Sequence, residues 1–170
     1  MVKKILSNIE IIIDTREQDF WHIARVLKNY NIKFYREKLD FGDYGFRLKG
    51  NPLDFTKKIA VERKRLNELA SNFQTGKKGE PNKRERFKNE FRRADEIGAR
   101  ILLMIEDAMY ADIENHNYRS NFHPNCYKGS LNSLKRDFDI DIFFIKEKKN
   151  CAFFILKKFI EYIINNKIEV

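Results

Sequence analysis

Hydrophobic and polar residues alternate with several different periods along this chain, and the changes of period mark its elements. Ile9–Asp14 is a mostly apolar, β-branched run of strand length that ends in Asp14-Thr15-Arg16-Glu17. It reads as a buried central strand with polar chemistry starting at its end. Over residues 20–30 the positions Trp21, Ala24, Leu27, Val26 and Tyr30 follow a helical face. Residues 32–39 and 43–48 follow as strands around a turn at Phe41-Gly42, and Asn51-Pro52 marks the next turn. Residues 58–64 predict another strand, and 65–73 the start of a helix.

In residues 74–82 two glycines, a proline and several charges occur without an apolar residue, the composition of a mobile surface loop beside a substrate. Residues 83–97 are helical, with Phe87, Phe91, Ala94 and Ile97 close to one face. Arg100–Glu106 is a buried strand that delivers Glu106 and Asp107 at its end. A polar loop over 112–124, a helix near 128–138, a strand at Asp141–Ile145 and a helix over 151–164 complete the alternation. No internal repeat is present. This order predicts an α/β sandwich: a central mixed β-sheet flanked by helices, as in restriction-endonuclease-like folds.

Composition narrows the picture. A chain of 170 residues suits one domain, large enough to bury about 70 % of the surface its unfolded form exposes. With 42 % hydrophobic residues, 15 Phe and 7 Tyr, it supports a packed core although 35 % of its residues are charged, which excludes disorder. The formal charge of +9 favours a polyanionic partner such as nucleic acid. Cys126 and Cys151 form no CxxC pair, which argues against a disulfide scaffold and fits a reducing compartment. The N-terminus has no apolar h-region and no run is long enough to span a bilayer. A soluble intracellular protein is expected, cytoplasmic or associated with a nucleoid or nucleus, without a membrane partner.

The candidate chemistry lies in Gly42-Asp43 and Val61-Glu62-Arg63-Lys64. Successive strand residues face opposite ways, so Glu62 and Lys64 share a face and Arg63 takes the other. Once an antiparallel strand brings Asp43 alongside, two hard oxygen donors and one ammonium share a site. That is the equipment of a metal-dependent phosphodiesterase; a surface salt-bridge ladder uses the same residue types. Downstream, Lys77, Lys78, Lys83, Arg84, Arg86, Lys88, Arg92 and Arg93 outnumber Glu80, Glu85 and Glu90. This stretch reads as a phosphate-tracking surface, or more plainly as a solvated helix face. Arg86 and Glu90 are expected nearest the site. His116, His123 and Cys126 match no zinc-finger spacing and read as loop residues. Tyr30, Phe34, Tyr35, Phe143, Phe144, Phe153, Phe154 and Phe159 read as core or dimer surface rather than base-stacking platforms.

Taken in order, Ile13-Asp14-Thr15-Arg16-Glu17, Gly42-Asp43-Tyr44 and Val61-Glu62-Arg63-Lys64 resemble the nuclease domain of the XPF/Hef family of structure-specific DNA endonucleases. The family motif is Gly-Asp, a spacer, then Glu-Arg-Lys and an Asp after three further residues. Here that last position is Glu68, one methylene longer. The resemblance implies Asp14, Asp43 and Glu62 as ligands of Mg²⁺ or Mn²⁺, Asp14 directly or through water. It implies Lys64 on the scissile phosphate or the attacking water, with Glu17 and Arg63 also in the catalytic set and Arg16, Glu68 and Glu90 in support. Lys77, Lys78, Lys83, Arg84 and Arg86 are the expected DNA contacts. Hydrolysis of branched or flapped DNA in repair or recombination follows from the resemblance, as does pairing into a homodimer or heterodimer through the C-terminal half. The family also contains silent subunits that bind DNA without cutting it, and same-fold nucleases act on linear DNA in restriction or mobile-element processing. One nuclease domain over 1–170 is expected, without the helix-hairpin-helix or helicase modules that accompany it in the family.

Overall fold

The computed structural model describes residues 1–74 and 82–170. Lys77, Lys78 and most of the loop expected over 74–82 lie outside the described residues. The described chain runs α1 (Val2–Asn8), β1 (Ile9–Asp14), α2 (Trp21–Asn29), β2 (Lys33–Glu37), β3 (Tyr44–Leu48), β4 (Ile59–Lys64), α3 (Leu66–Phe73), α4 (Lys83–Glu96), β5 (Arg100–Glu106), α5 (Tyr110–Glu114), α6 (Pro124–Phe138), β6 (Asp141–Ile145) and α7 (Cys151–Asn165).

All six strands form one sheet in the order β2-β1-β3-β4-β5-β6. β1 pairs parallel with β2 and antiparallel with β3, and β3 pairs antiparallel with β4. β5 and β6 then extend the sheet in parallel. The expected mixed sheet is therefore observed. Its central strands β1, β4 and β5 are buried along most of their length, as their continuous apolar runs require.

Strand alternation divides the core into two layers. Ile59, Val61, Leu102 and Met104 pack with Ile23, Leu27, Ile155 and Phe159 of α2 and α7. Ala60, Ile101, Leu103 and Ile105 pack with Leu69, Phe87, Phe91 and Leu131 of α3, α4 and α6 on the other face. By the same period, Arg63 and Glu106 fall on the α2/α7 side, and Glu62 and Lys64 on the α3/α4 side. The site is thereby placed at the strand ends, with chemistry on both faces.

Three local expectations are corrected. Trp21 does not join the apolar face of α2; it is 70 % exposed, because Ile23, Ala24 and Leu27 make the buried stripe. The polar stretch after residue 112 is not all loop, since Asp112 caps α5 by accepting a hydrogen bond from the Met109 amide at 2.7 Å. α6 begins at Pro124 rather than near Lys128: the proline takes the first turn, where no N–H is needed, and His123 caps it. In addition, α1 precedes β1 with only Ile5 buried, too little apolar content to register as a period. Among the described residues no helix is long and apolar enough to cross a membrane.

Candidate active site

Asp43 owes its position to Gly42. The glycine has φ +71°, and a Cβ there would come within 2.6 Å of the Ala60 Cβ, so the chain can turn this tightly against β4 only without a side chain. The turn delivers Asp43 between two strand ends. Its N–H donates to the Val61 carbonyl at 2.9 Å, and its carbonyl accepts from the Asp14 N–H at 2.8 Å. The Arg63 amide donates to Asp43 Oδ2 at 2.8 Å, orienting the carboxylate toward the end of β4.

Glu62 and Lys64 project from β4 on the same face as Asp43. Lys64 Nζ lies 2.5 Å from Glu62 Oε1 and 3.8 Å from Asp43 Oδ2, and it also donates to the Arg63 carbonyl at 3.1 Å. Burial pushes the Asp43 carboxyl well above the ordinary aspartate range; Glu62 adds to the rise and Lys64 opposes part of it. Burial likewise raises Glu62 against the pull of Lys64. Burial alone would lower Lys64, but Glu62 and Asp43 together hold its ammonium above the usual lysine value. The buried Glu62 and the half-buried Asp43 thus share a single ammonium, a pair short of positive charge with hard oxygen donors directed at one place.

Arg63 turns to the opposite face. Its Nε and Nη2 donate to the two Glu17 oxygens at 3.1 and 3.2 Å, and Nη1 donates to Glu106 Oε1 at 3.2 Å. These carboxylates keep the guanidinium charged despite the opposing effect of burial. Glu106 also takes a 2.6 Å bond from His22 Nε2, and Arg65 Nε and Lys148 Nζ reach its Oε1 at 3.5 and 3.7 Å while both also pair with Asp19. Glu17 receives the Asp19 amide at 2.7 Å, which ties the segment after β1 to this network. His22, Glu106 and Cys151 bring ligand atoms within 4.8 Å of one another. Glu106 is already matched there by Arg63 and His22.

Asp14 follows Ile13 into the position opposite Asp43, but donors enclose its carboxylate. Arg16 holds both its oxygens, through Nε to Oδ1 at 2.7 Å and Nη2 to Oδ2 at 3.1 Å, and the amides of Arg16 and Leu39 add bonds of 2.7 and 2.6 Å. Burial would raise this carboxyl, but the donors outweigh it and hold it below the ordinary range. Asp14 lies outside the lining of the cleft, whereas its partner Arg16 lines it.

The cleft has a volume of about 580 Å³. Asp43, Glu62 and Lys64 line it, as do Glu17 and Arg63 and the cations Arg16, Lys83 and Arg86. Arg84 is not part of the lining. Glu68 lines the cleft while its Oε2 caps α3 by accepting from the Arg65 amide at 2.7 Å. Glu90 reaches the cleft from α4 and pairs with Arg93 at 2.6 Å. His116, His123 and Cys126 do not meet: His123 caps α6, His116 bonds the Ser120 carbonyl at 2.8 Å, and Cys126 is exposed. Sequence reasoning did not connect Glu106, His22 or Asp19 with Arg63. The signal available was the acid at the end of β5; its pairing needs the parallel register of β4 and β5, where Arg63 stands opposite Met104.

The family model for the ERCC4 domain matches residues 13–157. The fold is similar to XPF from Aeropyrum pernix, with 17 % identity and a TM-score of 0.62 over 93 % of this chain and 68 % of that one. It is similar to XPF from Aeropyrum pernix in complex with DNA, with 15 % identity and a TM-score of 0.61 over 95 % of this chain and 68 % of that one. At these identities the two likenesses are likenesses of fold. No curated protein sequence matches the chain.

Proposed function

This chain belongs to the ERCC4 domain family, and from that premise we propose that it is a metal-dependent DNA endonuclease acting on branched or flapped DNA. The observation that carries the reading is the convergence of Asp43, Glu62 and Lys64 in one cleft, with a single ammonium set against one buried and one half-buried carboxylate. The donor set fits Mg²⁺ or Mn²⁺, both of which prefer carboxylate oxygen. Asp43 and Glu62 would hold the ion, which when bound supplies a water of lowered pKa and offsets charge on the phosphate.

The chain's own residues have separable roles. Lys64 would set its ammonium on a phosphate oxygen or on the attacking water. Arg63 and Glu17 act as positioning residues, holding β4 so that the carboxylates on its other face stay aligned. Asp14 positions Arg16, whose guanidinium faces the cleft beside Lys83 and Arg86 and suits a phosphate backbone. XPF from Aeropyrum pernix has been solved with DNA, which supports the polyanion implied by the +9 charge. A dimer through β6 and α7 belongs to the same reading. Phe153 of α7 and Tyr30 of α2 are exposed and meet edge to face at 5.4 Å. A monomeric mass by light scattering at micromolar concentration would remove the dimer from it.

Cleavage of labelled linear, flapped, splayed-arm and three-way-junction DNA in Mn²⁺, Mg²⁺ and EDTA tests the function. Cuts near the branch that need metal and disappear in Asp43→Asn and Lys64→Ala are the expected result. Binding without a product under every condition would instead make the chain a silent DNA-binding subunit. Equal cutting of linear DNA would remove the branch preference.

A further inference from the structure

Trp21 is the only tryptophan of the chain and its most exposed aromatic side chain among the described residues, at 70 %. An indole in water needs a physical reason, because a large apolar ring gains by burial. Nothing about Trp21 is loose. Its ring stacks on Phe20 with centroids 4.6 Å apart and planes inclined by 27°. Phe20 in turn carries the Arg36 guanidinium 4.1 Å from its centroid. Arg36 donates to the carbonyls of Asp14, Thr15 and Glu17 at 3.2, 2.7 and 2.9 Å. The indole is thus connected by successive contacts to the segment that carries Arg16, Glu17 and Asp19 into the cleft. Asp19 lines the cleft, and two residues of chain place Trp21 within about 7 Å of it, Cα to Cα.

Along its own ridge of α2 the charge is of one sign. Arg25 and Lys28 follow Trp21 at the i+4 and i+7 positions of α2, and all three are exposed. One ridge of the helix therefore presents an indole nearest the cleft and two cations behind it. A flat aromatic face with phosphate-pairing cations in series is the combination that binds single-stranded nucleic acid. The base stacks on the ring whatever its identity, and the backbone follows the charges.

We propose that Trp21, Arg25 and Lys28 form a platform for an unpaired nucleobase and its flanking phosphates, so that the protein recognises a strand leaving the duplex beside the cleft. The proposal rests on the endonuclease reading and gives it a basis for choosing branched over linear DNA. Trp21 acts here in binding and not in the chemical step.

Because there is one tryptophan, its fluorescence reports the contact directly. The native chain is titrated in EDTA with a labelled single-stranded oligothymidylate and with a labelled blunt duplex, following indole emission and the anisotropy of the label together. Saturable quenching by the single strand, and little by the duplex, is expected. Trp21→Ala should weaken single-strand binding roughly tenfold, with Trp21→Phe retaining most of it. Arg25→Ala should lower the salt dependence of binding by about one counterion. Circular dichroism of each variant separates these effects from misfolding. If the strand binds with unchanged emission and equal affinity in Trp21→Ala, the platform is wrong while the endonuclease reading stands. If neither DNA binds at any concentration, both fall. An emission change that follows protein concentration without DNA would assign the indole to a protein contact and overturn the proposal.

Discussion

The Arg63 guanidinium and the Glu17 carboxylate meet as two parallel hydrogen bonds of 3.1 and 3.2 Å, and both side chains are buried. They lie on the face of β4 opposite Glu62 and Lys64, so the strand that carries the proposed chemistry is held from behind by a charge pair. Glu106 joins the same guanidinium at 3.2 Å. Removing the cation therefore uncovers two buried carboxylates at once.

Arg63→Ala should lower unfolding free energy by about 3–5 kcal/mol, the range for a buried charge stripped of its partner. Arg63→Lys should recover only part of it, because an ammonium cannot form the bidentate pair. Urea denaturation of the three proteins measures both effects. A loss below 1 kcal/mol on the same scale would mean that the network is hydrated in solution.

Added Mg²⁺ or Mn²⁺ should raise the thermal midpoint of the native chain, as any ligand of the folded state does. Asp43→Asn and Glu62→Gln should each abolish the shift and reduce cleavage by at least about a hundredfold. Without metal these variants should be no less stable than the native chain, because each relieves the charge excess that raises both carboxyls. Differential scanning fluorimetry with and without EDTA separates the two contributions.

Asp14 has the opposite sign. Its folded-state pKa lies below the ordinary value of 3.8, so the stability it contributes is complete above that pH and is lost as pH falls through the folded value. The native chain should lose stability in that acid range faster than Asp14→Asn, whose curve is flatter there but lower at neutral pH. Parallel curves would remove Asp14 from the acid sensitivity of the fold.

Gly42→Ala should destabilise by about 1–3 kcal/mol and lower activity, since the added methyl meets Ala60 in a left-handed turn and displaces Asp43. Ala60→Gly in the same background should restore part of the stability, relieving the collision but not the backbone strain. No recovery in the double variant would place the whole cost in the backbone.

Much of this protein was legible from residue order because the signals were local. The apolar run of β1, the strand Arg100–Glu106 and the alternation of Glu62, Arg63 and Lys64 depend on periods of a few residues. The side of β4 on which each of these falls is a consequence of strand geometry. Long-range pairing is different in kind. Asp14 carries the same carboxylate as Asp43, yet Arg16 and the Leu39 amide enclose the first while the second opens to the cleft. Glu106 meets Arg63 only because β4 and β5 run parallel side by side. Trp21 fits a helical period but lies outside the stripe that packs, since the neighbouring layer selects Ile23, Ala24 and Leu27. Local preference sets which way a side chain can point; the packing of distant elements sets what it meets there.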